Sequence, residues 1–364
     1  MKQLRVLVVE DSLTVRKRLC EILEDERDIV VVGEAADGKQ AIELCEALRP
    51  DVISMDMMLP IMTGLAATEY IMAHCPTPIL VVSASLNRGE LFRTYDAVAA
   101  GAVDMMEKPG VTDAQGDWDA RYLSTLRLVA RVPVITHLRA RSALRAAGPP
   151  PAHKPTRPQP PVDGRARSSL IALGASTGGP GALVDVLGAL PRRLQVPVLV
   201  VMHINEPFAI AFSDWLDAQT PHRVSYAKDG EPLASCAGRV LLAPADRHMV
   251  VGGGQVRLDS GPARHSCRPS VDTLFESIAV EAGSRACAAL LTGMGRDGAT
   301  GLLAIRRAGG ATIAQDEASS VIYGMPREAA LLGAAERVLP LDQIGTALAT
   351  LCGVPSDSMF GALR

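Results

Sequence analysis

The chain has 364 residues, enough for two or three domains, and its 48% apolar and 21% charged residues can bury a core in each. Aromatics at 3% leave no base-stacking surface, and a net charge of −3 gives no overall basic field, so nucleic acid is not an expected partner. No run approaches the ~18 apolar residues of a membrane span.

From the start, Leu4-Arg5-Val6-Leu7-Val8-Val9-Glu10 runs straight into a short apolar strand, unlike a signal peptide. The seven cysteines (Cys20, Cys45, Cys75, Cys236, Cys267, Cys287, Cys352) are scattered and lack C-x-x-C spacing, so a reduced, cytoplasmic setting is expected. Strands are predicted over 4–9, 29–33, 51–55, 79–82 and 102–106, with helical patterns over 12–23, 38–48, 65–74 and 90–100 between them. Five such βα units imply a parallel sheet covered on both faces.

Functional groups of an open parallel sheet gather at the carboxyl ends of its strands. Glu10 and Asp11 follow the first strand, Asp56 the third, Ser83 ends the fourth and Lys108 follows the fifth. Three crowded carboxylates repel unless a cation sits among them, and Mg²⁺ with oxygen ligands suits Glu10, Asp11 and Asp56. The metal would neutralise charge on a phosphoryl group in transfer to Asp56, with Ser83 and Lys108 holding its oxygens. Taken singly, a strand-end Asp is more often a helix cap, and Lys108 before Pro109 could be merely solvated. Five suitable residues at four strand ends form a pattern. Glu10-Asp11, Asp56 with Pro60 and Gly64, Ser83-Ala84 and Lys108-Pro109 resemble a response-regulator receiver domain. The resemblance implies a flavodoxin-like (βα)5 fold and phosphorylation of Asp56 by a histidine kinase. Met105 stands where that family usually carries an aromatic switch residue, three positions before the lysine.

Residues 139–167 are basic and dense in proline, which forbids helix interiors and central strands. They read as an interdomain linker, or else as a docking segment for an acidic partner. The expected division is a receiver over 1–138, this linker, and a second α/β domain over 168–364.

In the second part, strands are predicted over 170–173, 198–202, 288–291 and 312–314. Residues 238–243 and 249–258 read as an antiparallel ribbon around Gly252-Gly253-Gly254. Gly174-Ala175-Ser176-Thr177-Gly178 fits G-x-S-x-G between a strand and a helix, a turn that lifts a serine hydroxyl clear of the sheet. Alone the pattern is weak, because glycine-rich strand–helix turns also bind phosphate or only turn. Of seven histidines, His203 directly follows an apolar strand, while His248 and His265 lie in the ribbon region. An acid to orient the imidazole should also end a strand. Asp297, in a glycine-rich turn, fits; Asp246 and Asp272 are rivals, and Asp297 could instead cap the helix that follows.

Gly174-Ala175-Ser176-Thr177-Gly178-Gly179-Pro180, His203, the run Arg268–Phe275, the run Leu291–Gly298 and Tyr323-Gly324-Met325-Pro326 resemble the chemotaxis protein-glutamate methylesterase family. Receiver, linker and catalytic domain in that order is that family's architecture, and Met202 departs from its usual Gln. The resemblance implies a Rossmann-like serine hydrolase with the triad Ser176, His203 and Asp297, and Thr177 and Met294 in oxyanion or turn support. It implies hydrolysis of glutamate γ-methyl esters, and deamidation of glutamines, on methyl-accepting chemoreceptors, with no cofactor for hydrolysis itself. The expected partners are a histidine kinase of a chemosensory array and methylated receptors, and a monomer is expected. The rival readings are a non-catalytic response regulator working by protein contacts, and an esterase of a non-motility pathway. A linker of roughly thirty residues permits the resting receiver to obstruct the rim holding Ser176. Phosphorylation is then expected to relieve it, incompletely given Met105.

Overall fold

Runs of Val, Ile, Leu and Met without polar alternation mark strands covered on both faces. A computed structural model describes residues 3–84, 88–109, 117–132, 134, 167–204 and 206–353. The chain divides into two compact units, residues 1–156 and 157–364. The Pro-rich segment expected over 139–167 lies outside the described residues except for Arg167.

The first unit carries β1 (Leu4–Val9), β2 (Ile29–Ala35), β3 (Val52–Met55), β4 (Ile79–Ser83) and β5 (Asp104–Glu107). They form one sheet in the order β2-β1-β3-β4-β5, every pair parallel. Helices α1 (Leu13–Glu24), α2 (Gly38–Leu48), α3 (Gly64–His74), α4 (Arg88–Ala99) and α5 (Asp117–Val129) connect or follow them. β3 and β4 are buried along their whole length, as their mainly apolar runs require, Ser54 and Ser83 included. Local signals set the helix ends. Asp37 caps α2 by accepting from Lys39 N and Gln40 N, and Arg49 closes it in the left-handed region before Pro50. The strand order reverses between β1 and β3, which opens a crevice at their carboxyl ends.

The second unit is a seven-stranded sheet, order β14-β13-β12-β6-β7-β9-β8, again wholly parallel. Its strands are β6 (Leu170–Ala175), β7 (Val198–Met202), β8 (Arg223–Tyr226), β9 (Arg239–Leu242), β12 (Ala286–Leu290), β13 (Ala311–Gln315) and β14 (Arg337–Leu339). The helices that bear on the site are α6 (Gly179–Gly188), α7 (Glu206–Gln219), α8 (Val271–Glu281), α9 (Ala299–Arg307) and α10 (Met325–Leu331). Both units are therefore doubly wound parallel-sheet α/β structures, as expected.

One expectation needs correction. Residues 238–243 are not ribbon: β9 lies in the main sheet beside β7 and β8, with Val240, Leu241 and Leu242 buried. A continuous apolar run is what a strand covered on both faces needs, and the ribbon reading overlooked it. The ribbon pairs β10 (His248–Gly252) with β11 (Gln255–Asp259) around Gly253 and Gly254, both at positive φ.

The sheet order places β6 between β12 and β7, so the crevice of this unit opens where β6, β7 and β12 end. Tight packing fixes that edge. A Cβ on Gly174, in β6, would lie 2.3 Å from Val271 Cγ1 and 3.0 Å from Leu290 Cδ1. Gly174→Ala should therefore destabilise the unit by about 1–3 kcal/mol through overpacking. A thermal melt of the purified chain should fall by several degrees, and an unchanged midpoint would show that this approach has slack.

Candidate active site

At the rim of the first sheet, Glu10 and Asp56 are buried while Asp11 is exposed. Ligand atoms of the three carboxylates lie within 4.8 Å of one another. Lys108 Nζ reaches 2.8 Å to Glu10 Oε2 and 3.0 Å to Asp56 Oδ2. Burial pushes the Glu10 carboxyl above its ordinary value; the Lys108 hydrogen bond opposes this and the Asp56 charge adds to it. Burial would lower the Lys108 ammonium, yet the Asp56 and Glu10 carboxylates outweigh it and raise it. Among the described residues, neither carboxylate oxygen of Asp56 accepts a hydrogen bond, and the buried Ser83 Oγ has no partner. Lys108 meets Asp56 Oδ2 as an ion pair. Buried hard oxygens with Lys108 alone near them are short of donors among the described residues, which a divalent cation such as Mg²⁺ satisfies, so the residue set fits one. Gly64 is required beside it, because a Cβ there would sit 2.0 Å from Asp56 O.

In the second unit, Ser176 follows β6 in a turn completed by Gly178 at φ 76°. Backbone bonds beyond the strand ladder bind three strand ends together. Ser176 N donates to Thr292 O at 3.0 Å, His203 N to Ala175 O at 3.0 Å, and Leu291 N to Gly174 O at 2.8 Å. The segments after β6, β7 and β12 thus converge. A Cβ on Gly293 would lie 2.7 Å from Ser176 Cβ, and one on Gly179 would lie 2.5 Å from Met202 Sδ. Met202, the departure noted in the sequence, fills the space under the serine turn.

His203 Nε2 and Asp297 Oδ2 are 2.8 Å apart. Asp297 is 2% exposed and collects three further donors: Val271 N at 2.7 Å on Oδ2, and Ser270 Oγ at 2.7 Å with Asp272 N at 3.0 Å on Oδ1. Val271 and Asp272 open α8, so the carboxylate sits on that helix's positive end. Burial pushes the Asp297 carboxyl up, but the His203 bond and the surrounding donors outweigh it and hold it below the usual range. Burial likewise disfavours the charged His203, yet its bonds to Asp297 and Cys267 outweigh this and raise it to about 9.

With Nε2 committed to Asp297, Nδ1 is the ring nitrogen left for chemistry. It lies 3.7 Å from Cys267 Sγ. Among the described residues, no hydrogen bond joins Ser176 Oγ to His203, a looseness common before substrate tightens a site. Thr177 O accepts from Thr292 Oγ1 at 3.0 Å, and the Met294 side chain is 59% exposed beside the serine turn. Among the described residues, the Met294 N–H has no acceptor.

The rival residues go elsewhere. Asp246 is paired with Arg268; Asp272 takes Gly301 N at 2.6 Å and His265 at 3.2 Å. His248 accepts from Ser270 N at 3.1 Å and meets Pro262 O on its other nitrogen. Sequence reasoning missed Ser270 and Cys267. Both lie inside or beside the run Arg268–Phe275, and neither carries a local signal of its partner across the fold.

Residues 171–348 match the family model for CheB methylesterase, and residues 6–114 match the response regulator receiver domain. The protein-glutamate methylesterase/protein-glutamine glutaminase 2 of Anaeromyxobacter dehalogenans (strain 2CP-C) is 44% identical over 350 residues, covering 96% of this chain and 97% of that protein. The corresponding protein of Nitrosospira multiformis (strain ATCC 25196 / NCIMB 11849 / C 71) is 40% identical over 363 residues, covering 99% and 100%. Among solved structures, the Thermotoga maritima CheB methylesterase catalytic domain is 33% identical, covers 51% of this chain and 100% of that one, and has a TM-score of 0.48. Matched across nearly its whole length, the chain belongs to the protein-glutamate methylesterase/protein-glutamine glutaminase family, with a response-regulator receiver ahead of a CheB methylesterase domain.

Proposed function

We propose that Ser176, His203 and Asp297 carry the hydrolysis of glutamate γ-methyl esters, and the deamidation of glutamines, on chemoreceptors. The observation that carries the reading is the 2.8 Å contact between His203 and a buried, multiply bonded Asp297, beside the strand end that bears Ser176. His203 Nδ1 takes the proton of Ser176 Oγ as that oxygen attacks the ester carbonyl carbon. Backbone N–H groups of the serine turn and of the Met294 loop hold the tetrahedral oxyanion, with Thr177 and Met294 as the residues concerned. Collapse expels methanol, protonated from the imidazolium. Water then attacks the acyl-enzyme by the same route and frees a glutamate. Asp297 fixes the tautomer and stabilises the imidazolium throughout.

In the receiver, Asp56 is the proposed phosphoryl acceptor, with Glu10, Asp11 and Asp56 holding Mg²⁺, and Ser83 and Lys108 positioned for the transferred oxygens. Bound Mg²⁺ would neutralise charge on the phosphoryl group. Receivers and methylesterases as families work with histidine kinases and methylated chemoreceptors. A chemosensory kinase, receptor adaptation and a cytoplasmic setting are our finer reading. No helix among the described residues is long and apolar enough to cross a membrane, and all seven cysteines are free.

Three outcomes are expected. Ser176→Ala, His203→Ala and Asp297→Ala should each lower kcat for methanol release from methylated receptor by about 10⁴–10⁶, without additivity. An active Ser176→Ala enzyme would sink the serine mechanism. Next, a base must be unprotonated to act, so kcat/KM should climb with pH and level near the His203 value of about 9. A profile flat through neutrality would contradict that protonation. Lastly, phosphorylation should be acid-labile, lost in Asp56→Asn, and should raise the rate of the intact chain. A fragment beginning near Ser168 should outpace the resting intact protein, and equal or lower rates would rule out repression by the receiver.

A further inference from the structure

Cys267 differs from the other six cysteines in being only half-buried, and it faces the catalytic imidazole. Its placement is fixed by backbone. Arg264 N donates to Cys267 O at 3.0 Å and Cys267 N to Arg264 O at 2.8 Å, closing a two-residue turn in which His265 and Ser266 both have positive φ. The thiol therefore does not hang on a loose loop.

Three side chains of types that can ligate a metal meet here. Ligand atoms of His203, Cys267 and Asp297 all lie within 4.8 Å of one another. Zinc binds thiolate at about 2.3 Å and imidazole at about 2.0–2.1 Å, and a tetrahedral angle between them separates S from N by about 3.5–3.6 Å. Cys267 Sγ and His203 Nδ1 are already 3.7 Å apart. The far nitrogen, Nε2, is bonded to a buried carboxylate, the arrangement that orients a metal-bound histidine and raises its basicity. A thiolate–imidazole pair selects soft or borderline cations and gives no advantage to Mg²⁺, whose hard oxygens lie in the other unit.

We propose that Cys267 Sγ and His203 Nδ1 form a capture site for zinc or a similar thiophilic divalent cation, and that occupancy shuts off the esterase. Binding forms the S–metal and N–metal bonds and releases to solvent the thiol proton and, from the charged imidazole, the Nδ1 proton. The bound cation takes the Nδ1 lone pair that would otherwise accept the Ser176 proton. Two protein ligands leave coordination positions open, so the inhibition is reversible by a chelator, unlike a closed four-ligand structural site. Asp297 stays on Nε2 as the supporting carboxylate. The inhibitory part rests on His203 being the base; the binding part does not.

The test uses the full-length protein in saturating Mg²⁺, to fill the hard-oxygen site, and no thiol reductant. Cobalt(II) titration should give a thiolate-to-cobalt charge-transfer band that zinc removes. Zinc should inhibit methanol release over the same concentration range, with a chelator restoring the rate. Cys267→Ser and His203→Gln should both lose the band. Against its own zinc-free rate, Cys267→Ser should need at least about ten-fold more zinc for half-inhibition. No band in the wild-type chain, a band that persists in Cys267→Ser, or zinc inhibition of the wild type that Cys267→Ser shares at the same concentration would overturn the proposal. A band lost in both variants, with no zinc inhibition of the wild type, would uphold the metal site and sink His203 as the base.

Discussion

The catalytic unit depends on how one buried charge is satisfied. Asp297 is 2% exposed, and a carboxylate at such depth is tolerable only when its oxygens are filled by donors. Ser270 Oγ, two backbone N–H groups of the first turn of α8, and His203 Nε2 fill them. The same four bonds tie the loop after β12 to the start of α8 and to the end of β7. Structure and chemistry share this carboxylate. Without it, the helix end would lose its counter-charge, Ser270 and His203 would lose a partner, and the imidazole would be free to turn.

The two units apply one topological rule to opposite electrostatic problems. In each, strand order reverses beside the first strand, and the crevice there gathers residues from several strand ends. The receiver rim concentrates acids with few donors: Asp56 has only the Lys108 ion pair, and Ser83 Oγ is unpartnered among the described residues. That suits the cation and phosphoryl group proposed for this rim. The esterase rim does the reverse. The carboxylate proposed for the triad, Asp297, is saturated by donors, and among the described residues the atoms proposed to react, Ser176 Oγ and His203 Nδ1, are left without a strong bond. Met105, where receivers usually have an aromatic, is half-buried against the core beside β4.

What could be read from the sequence followed from locality. Strand ends are local signals, so Glu10, Asp11, Asp56, Ser83 and Lys108 could be placed on one rim, and Ser176, His203 and Asp297 on another, before any coordinates. The alternative offered for Asp297, a cap on the helix that follows it, does not hold. Asp297 does face a helix N-terminus, but that of α8, not of α9 directly after it, whose cap position is Gly298 with no side-chain bond. No spacing rule links Asp297 to Val271, 26 residues earlier. The same holds for Cys267 and His203, 64 residues apart, which only the turn at His265 and Ser266 brings together. β9 was misread because glycines nearby suggested a ribbon, while its buried Val-Leu-Leu run belonged to the main sheet.

The central claim is that Asp297 holds the His203 ring with its proton on Nε2, leaving Nδ1 as the base. Nitrogen-detected NMR of selectively labelled histidine in the resting enzyme, above the pH at which His203 loses its charge, reads this directly. The account predicts a His203 proton coupled to Nε2, shifted downfield by the short carboxylate bond and lost or displaced in Asp297→Asn. A neutral His203 with its proton on Nδ1, unaffected by Asp297→Asn, would contradict it.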